Sequence, residues 1–409
     1  MKPRVLLVTN LYPNSREPVR GLYIRQLVDF LAEDHEIQVV APVPWAPAWL
    51  AARWRPSVVL PREETIGGIR VHHPRYLAIP KVLRFTHGLT FSASMRHCLH
   101  RLRQQFAFDL ISVHWIFPDA YGTVRAARGL GIPVVAHAQG CDINDYIRYP
   151  LRRRMICSAL READSVVTKS GEIAGKITGL GIDANKVHVV YNGINRDLFQ
   201  PRDKQEQRRK LGLPAAAKTV LFIGNLSPEK GIDHLLRACA ELRDSEPSLS
   251  LVIVGDGPLR AEIETRAGEL GIADATTLLG RLGHEQIPSW LNAADVLCLP
   301  SLREGCPNVV LEALASGTAV VASAVGAIPE MMQHTRLGFM APPGDARTLA
   351  AQLARALALP AGIDRSFDWY SWRDNARALA EVFADAVARR LAAEQPGPGS
   401  RPAPGRSGY

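Results

Sequence analysis

The sequence predicts an α/β protein built from two doubly wound domains in tandem, and three observations carry that reading. Its 409 residues exceed what one hydrophobic core ordinarily serves. Short β-branched runs recur along it, each followed by a helical pattern, which is the signature of parallel βαβ units. A charged stretch, "VVYNGINRDLFQPRDKQEQRRKLGL", interrupts the alternation near the middle and reads as the join between the two halves.

In chain order, the expected strands of the first half are "RVLLVTN", "EIQVVAP", "IRVHHP", "DLISVHW", "PVVAHA" and "SVVTKS". Those of the second are "TVLFIGN", "LSLVIVGDG", "TTLLG", "VLCLPS" and "AVVAS". The boundary is placed at residue 192, giving a first domain over 1–191 and a second over 192–365. Parallel sheets bury both faces and bind ligands beyond the carboxyl ends of their strands, so the cleft between two such domains is the expected active site. Residues 366–393 contain a helical pattern with apolar positions at Ala376, Leu379, Ala380, Phe383 and Val387. The last stretch, 394–409, is Pro/Gly/Ser-rich with little to bury and is expected to be disordered.

Composition bounds the function. Apolar residues make up 47% of the chain and charged ones 22%, as in a globular protein. No run approaches the ~18 uninterrupted apolar residues of a membrane span, and the N-terminus lacks an export signal. Six cysteines without C-x-x-C spacing suggest neither a disulfide framework nor a zinc site, so a reducing cytoplasm is the expected compartment. Residues 1–190 hold 25 Lys and Arg against 15 Asp and Glu, whereas the remainder holds 24 against 25. The basic excess of the first half suits an acidic membrane surface, an anionic substrate or simply a solvated face. No nucleic-acid-binding signature accompanies it, so nucleic acid is not an expected partner. Trp45, Trp49 and Trp54 beside Arg53 and Arg55 suit either a water-membrane interface or a loop packed on its own domain.

The densest motif is "PSLREGCPNVVLEALASG", Pro300 to Gly317. It follows the strand "VLCLP" and opens a helix, with Pro307 suited to the first helical turn. Free backbone amides near Asn308, Val309 and Val310 then form a phosphate site at the positive end of the helix dipole. Glu304 and Glu312 flank it. Like charge keeps a carboxylate off a phosphate, but each can accept two hydroxyl hydrogen bonds from a sugar. A diphosphate between two diols is a nucleotide sugar. Read alone, the pair equally suits an acidic N-terminus and a surface glutamate.

Other motifs point into the same cleft. In "FIGNLSPEKGIDHLLRA", Lys230 is placed to meet a leaving phosphate, though such a lysine also suits a solvated turn. Gly255 and Gly257 of "VGDGPL" lack the third glycine of a dinucleotide fingerprint and read as tight-turn residues. Gly21 sits where backbone amides can approach a phosphate, or where a turn needs glycine. "PVVAHAQGCDIN" ends a buried strand in a polar cluster containing His137, Gln139 and Asp142, and His114 ends "DLISVH" beside it. His114, His137 and Asp142 form the weaker, acceptor-side set, Gln139 joins Glu304 and Lys230 as a candidate catalytic residue, and either histidine suits a buried supporting role as well.

Together, "ADVLCLPSLREGCPNVVLEALASGTAVVASAVGAIPEMM", "GNLSPEKG", "VGDGPL", "VRGLYIRQL" and "QGCDIN" resemble family-four retaining glycosyltransferases of the GT-B fold, over about residues 3 to 385. "TNLYPN", "HHPRYLAIPK" and "VHWIFPDAYG" are closest in flavour to bacterial cell-surface polysaccharide enzymes, including teichuronic-acid-type transferases. The resemblance implies two Rossmann-like domains facing across a cleft, with the final helix crossing back to the first. It implies that Glu304 holds donor-sugar hydroxyls beside the backbone of Gly305 and Cys306. The amides of Asn308 and Val309 would bind phosphate, Glu312 the ribose diol, and Lys230 the departing diphosphate, with Gly21 closing over it. The implied reaction moves a hexose from a nucleotide sugar, UDP-linked by expectation, to a lipid-linked or growing glycan acceptor at the cytoplasmic membrane face.

Two departures stand out. The family's arginine five residues before the lysine is Asn225 here, and its active-site histidine before the glycine of "HG-x-D" is Gln139. Glutamine cannot act as a general base but can orient a hydroxyl. The family's favoured front-face displacement uses the leaving phosphate oxygen to take the acceptor proton, so no strong base is required. The chain contains no D-x-D triplet, so no metal or other cofactor is expected. The competing readings are an epimerase or glycoside phosphorylase on the same fold and a non-catalytic sugar-nucleotide-binding subunit.

Overall fold

The computed structural model describes residues 2–18, 20–47, 60–78, 84–360 and 362–394. Trp49, Arg53, Trp54, Arg55 and the tail after residue 394 lie outside the described residues.

Among the described residues sixteen strands form in chain order: β1 Arg4–Thr9, β2 Glu36–Val40, β3 Val43–Trp45, β4 Glu63–Ile66, β5 Ile69–His72, β6 Arg75–Leu77, β7 Leu110–His114, β8 Val134–Ala138, β9 Ser165–Thr168 and β10 Val187–Val189, then β11 Lys218–Ile223, β12 Leu249–Val254, β13 Thr276–Gly280, β14 Val296–Leu299, β15 Ala319–Ser323 and β16 Gly338–Ala341. The first eight-stranded sheet runs β10-β9-β8-β7-β1-β2-β5-β4 and the six-stranded second runs β13-β12-β11-β14-β15-β16. All neighbours are parallel except β4, which returns antiparallel on β5. The runs expected from the sequence are the interior strands and the edge strand β13, and burial is complete in β7, β8, β9, β14 and β15. Strands β3, β4, β6, β10 and β16 were not among the expected runs; they are only three or four residues long and lie at edges.

The order of each sheet reverses at its first strand, β1 or β11, so the loops leaving the central strands open at one end. The two sets of loops face each other across the seam. Gly255, at φ +143°, and Gly257 are turn residues, as expected. A Cβ on Gly255 would stand 1.8 Å from the Gly224 carbonyl oxygen and one on Gly257 2.4 Å from that of Leu226, so glycine lets the loops after β11 and β12 pack backbone to backbone.

The helix Trp372–Glu394 returns to the first domain. Trp372, Leu379, Phe383 and Ala386 are buried in one cluster with Val5, Leu7, Leu27 and Val39, so a period of 3.6 in the last segment meets the face of the first sheet. Its entry lies beside the outgoing linker: Ile194 N donates to Tyr370 O at 2.9 Å, and Trp369 Nε1 donates to Asn192 O at 3.1 Å. Both crossings between domains therefore share one hinge. Because Phe383 fills the first domain's core from the far end of the chain, Phe383→Ala should cost roughly 3–5 kcal/mol of that domain's stability, read by equilibrium denaturation of the full chain.

Candidate functional site

Strand β14 delivers the chain to the seam, and the loop after it holds the densest cluster of polar groups. Glu304 is 9% exposed and accepts from Lys230 Nζ at 2.6 Å. Lys230 arrives on the loop after β11, and Leu302 N donates to Glu229 O at 2.8 Å, tying the two loops together. Gly231, at φ +63°, ends the lysine's turn, and a Cβ there would stand 2.2 Å from the Pro300 carbonyl oxygen. The close packing that admits only glycine thus also sets the Lys230–Glu304 pair.

The chain turns at Gly305 and Cys306 as expected, but Pro307 is the residue before the helix, at ψ 109°, and the helix is Asn308–Ala315. Proline's fixed φ serves equally well one position earlier. Amides in a first helical turn have no partner further up the helix, which leaves those of Asn308 and Val309 open. Val310 N is already spent on Pro307 O at 3.1 Å and leaves the expected set of free amides. Asn192 Nδ2 donates to Asn308 Oδ1 at 2.8 Å, so the hinge braces the helix start.

Glu312 is not a free carboxylate on the helix wall: His284 Nε2 lies 3.0 Å from its Oε1. The hydrogen bond to Glu312 holds the His284 imidazolium above its ordinary range, against burial. His284 follows β13 at the carboxyl end of a strand, and that location was the available signal for it.

Across the seam, Gly140 (φ +115°) meets Gly305. A Cβ on Gly305 would lie 2.1 Å from the Gln139 carbonyl oxygen, and one on Gly140 2.7 Å from Gly305 Cα. Gly326 backs them, its own Cβ position 2.5 Å from Gly305 O. Ionic contacts fasten the seam: Arg303 pairs with Asp145, Gly326 N donates to Glu172 Oε2, and Gly171 N donates to Glu330 Oε1 at 2.9 Å. Beside Glu304 a cavity of about 210 Å³ opens between the domains, lined in part by Asn144, Arg148, Lys176 and Arg303.

The comparisons with known proteins agree with this arrangement. Residues 20–198 match the family Glycosyltransferase Family 4, and residues 203–369 match Glycosyl transferases group 1. The chain is 30% identical over 362 residues to TuaC of Bacillus subtilis (strain 168), a glycosyltransferase assigned to teichuronic acid biosynthesis, covering 86% of this chain and 88% of that one. The chain belongs to the group 1, family 4 glycosyltransferases. It is also 37% identical over 310 residues to the D-inositol 3-phosphate glycosyltransferase of Thermobispora bispora, covering 69% of this chain and 72% of that one. Among solved structures, sucrose-phosphate synthase of Thermosynechococcus elongatus superposes with a TM-score of 0.70 at 22% identity, covering 96% of this chain and 98% of that one. HepE of Anabaena, solved with UDP, gives 0.66 at 20% identity over 96% of this chain and 100% of that one. These likenesses place the glycosyltransferase in the GT-B fold.

The first domain of this glycosyltransferase uses its predicted residues differently. Asp142 is fully buried and accepts from the amides of Ile116, Gln139, Gly140 and Ile143 at 2.9–3.1 Å, so it builds the loop and does not line the cleft. Burial raises its carboxyl to about 6 in spite of those four donors. His114 and His137 lie beneath the cleft, 1% and 0% exposed, stacked 3.9 Å apart. Burial pushes both well below the ordinary imidazole range and keeps them neutral. Gln139 is half-buried above them, with Nε2 3.3 Å from His114 Nδ1. Gly21, at φ +61°, caps the first helix, and its close approach is to Leu11 of its own loop. Asn225 is exposed, and its side chain bonds to no described residue.

Lys169 escaped the sequence reading. It directly follows β9, is 3% exposed, and makes one long hydrogen bond, 3.4 Å, to Val190 O. Burial lowers its ammonium to about 8. A lysine directly after a buried strand, at its carboxyl end, was the signal.

The His284–Glu312 attraction is complete below the ~6.5 of a free imidazole and fades as pH rises through the raised value. Glu312→Gln should return His284 toward its ordinary titration, followed by NMR; an unmoved resonance would show that the two side chains do not interact.

Proposed function

We propose that this glycosyltransferase moves a hexose, with retention of anomeric configuration, from a UDP-linked sugar to a lipid-linked or growing glycan acceptor in cell-surface polysaccharide synthesis. The observation that carries the reading is the Lys230–Glu304 pair, 2.6 Å apart at the mouth of the helix Asn308–Ala315. In this reading Lys230 serves as the cation for the leaving diphosphate and Glu304 as the acceptor for sugar hydroxyls, beside the helix amides. A bound diphosphate would compete for Lys230 and release Glu304 to the sugar, while Glu312 would exchange or share His284 for the ribose diol.

The acceptor hydroxyl bonds to the anomeric carbon on the face from which the phosphate leaves, and its proton passes to the departing phosphate oxygen. Gln139 orients a hydroxyl and takes no proton. Gly21, Asn225, Gly305, Cys306 and Val309 complete the proposed donor site, and residues 1–191 and 192–365 are its two proposed domains. No cofactor or metal is proposed, on the ground that the sequence lacks a D-x-D cradle. Among the described residues no helix is long and apolar enough to cross a membrane. A cytoplasmic enzyme working at the inner membrane face fits the likeness to TuaC and the basic first half.

A thermal-shift screen against UDP-, GDP- and ADP-sugars tests the donor, since ligand binding raises the unfolding midpoint with occupancy. UDP-hexose should stabilise the chain most. With that donor, Lys230→Ala should lower turnover by roughly 100- to 1,000-fold. Glu304→Ala should act mainly on turnover and Glu312→Ala mainly on nucleotide binding; negligible effects from both would remove these assignments. Turnover should persist in EDTA, and proton NMR of the product should show the donor's anomeric configuration.

A further inference from the structure

A second basic site lies at the far edge of the first sheet. A cavity of about 330 Å³ opens between β4, β5, β6 and the helix His87–Phe106, lined by Arg62, Arg75, Arg101, His73, His97 and Ser94 among others. Its carboxylates are already committed: Glu64 meets His73 at 2.8 Å, and Glu63 lies 3.1 Å from His72 and 3.5 Å from Arg101. The exposed Arg62, Arg75 and His97 side chains bond to no described residue. The mouth therefore presents uncompensated positive charge around a hollow large enough for a phosphate group.

The site is too far from the seam to hold the reacting sugar. From β8, which carries Gln139 at its end, to β5 there are four lateral steps in the sheet, about 19 Å at the usual strand spacing of ~4.8 Å. An apolar rim adjoins it. Trp45 and Leu77 face each other in the β3–β6 pair, 42% and 37% exposed, and Leu89 is 47% exposed on the neighbouring helix. Hydrogen bonds from Thr90 Oγ1 to Leu77 O (2.6 Å) and Ser94 Oγ to Arg75 O (2.9 Å) join rim and cavity into one surface. Tryptophan and leucine beside arginine suit a bilayer interface, where the rings enter the headgroup layer and guanidinium groups grip phosphate in two-point contacts.

We propose that this cavity binds the phosphate of an anionic membrane lipid and, with Trp45, Leu77 and Leu89, docks the first domain on the bilayer. The proposal rests on the reading of an enzyme working at a membrane face and gives that contact its residues. Lipid binding leaves the cleft open to a donor arriving from solution.

The test is co-sedimentation of the full chain with vesicles of phosphatidylcholine alone and of phosphatidylcholine with phosphatidylglycerol at about two to one. The chain should sediment with the anionic vesicles, and Arg62→Ala with Arg75→Ala should weaken this roughly 30-fold at about one decade or less per charge. Arg281→Ala with Arg347→Ala on the second domain, removing the same charge, should not. Trp45→Ala should weaken binding further without changing its salt dependence. Unfolding midpoints confirm that the variants fold. Equal losses in both double variants would show diffuse attraction in place of a site and overturn the proposal. So would stabilisation by inorganic phosphate without vesicle binding, or no sedimentation at all. The donor thermal shift, measured without lipid, separates failure here from failure of the transferase reading.

Discussion

Gly140, Gly305 and Gly326 lie backbone against backbone where the two domains meet, and the site depends on that contact. A methyl group on Gly305 would stand 2.1 Å from the Gln139 carbonyl oxygen, so any side chain there would wedge the domains apart. The contact lets loops from β8 and β14 share one seam, placing Gln139 of the first domain beside Glu304 of the second. The ion pairs and amide contacts around it, from Asp145–Arg303 to Glu330–Gly171, add charge to a fit that the absent side chains make available. The two chain crossings, at 192–194 and 369–372, are hydrogen-bonded to each other at one place.

Within the second domain the same device recurs on a smaller scale. Gly231 against Pro300 and Gly255 against Gly224 draw three strand-end loops together. The buried Glu304 carboxylate would be costly alone, and Lys230 offsets that cost while no donor is bound. Each charge thus satisfies the other, and in the proposed function a diphosphate with a sugar attached would offer both a replacement.

The interior strands were legible because parallel strands buried on both faces read as near-continuous apolar runs, as in "DLISVH" and "VLCLP". Edge strands such as β4 and β6 were not, because their half-exposed residues carry no such run. The glutamate-flanked helix start was legible through local spacing. Its partners were not: His284 reaches Glu312 over 28 residues and Asn192 reaches Asn308 over 116, distances no local pattern spans. Asp142 looked like a cleft residue because it follows a strand end, yet four amides fold around it. Position along the chain says where a side chain begins; packing decides which way it turns.

The substitution of Gln139 for the family's histidine acquires a different meaning in this setting. Behind the amide runs a chain of buried groups: Gln139 Nε2 to His114 Nδ1, then Ser112 Oγ, 3.3 Å from His114 Nε2 and 3.0 Å from His137 Nε2. Both rings are neutral, so each carries one N–H and one free lone pair; an amide N–H donated to His114 Nδ1 puts that ring's proton on Nε2, facing Ser112 Oγ. With the Gln139 amide donating to His114, its oxygen is left for a hydroxyl proton from the cleft, and the polarity of the chain is set from below. A buried imidazole thus lies directly behind the Gln139 amide. Such an amide can hold a hydroxyl at a reacting carbon without taking its proton, which is the demand of a displacement whose leaving group serves as the base.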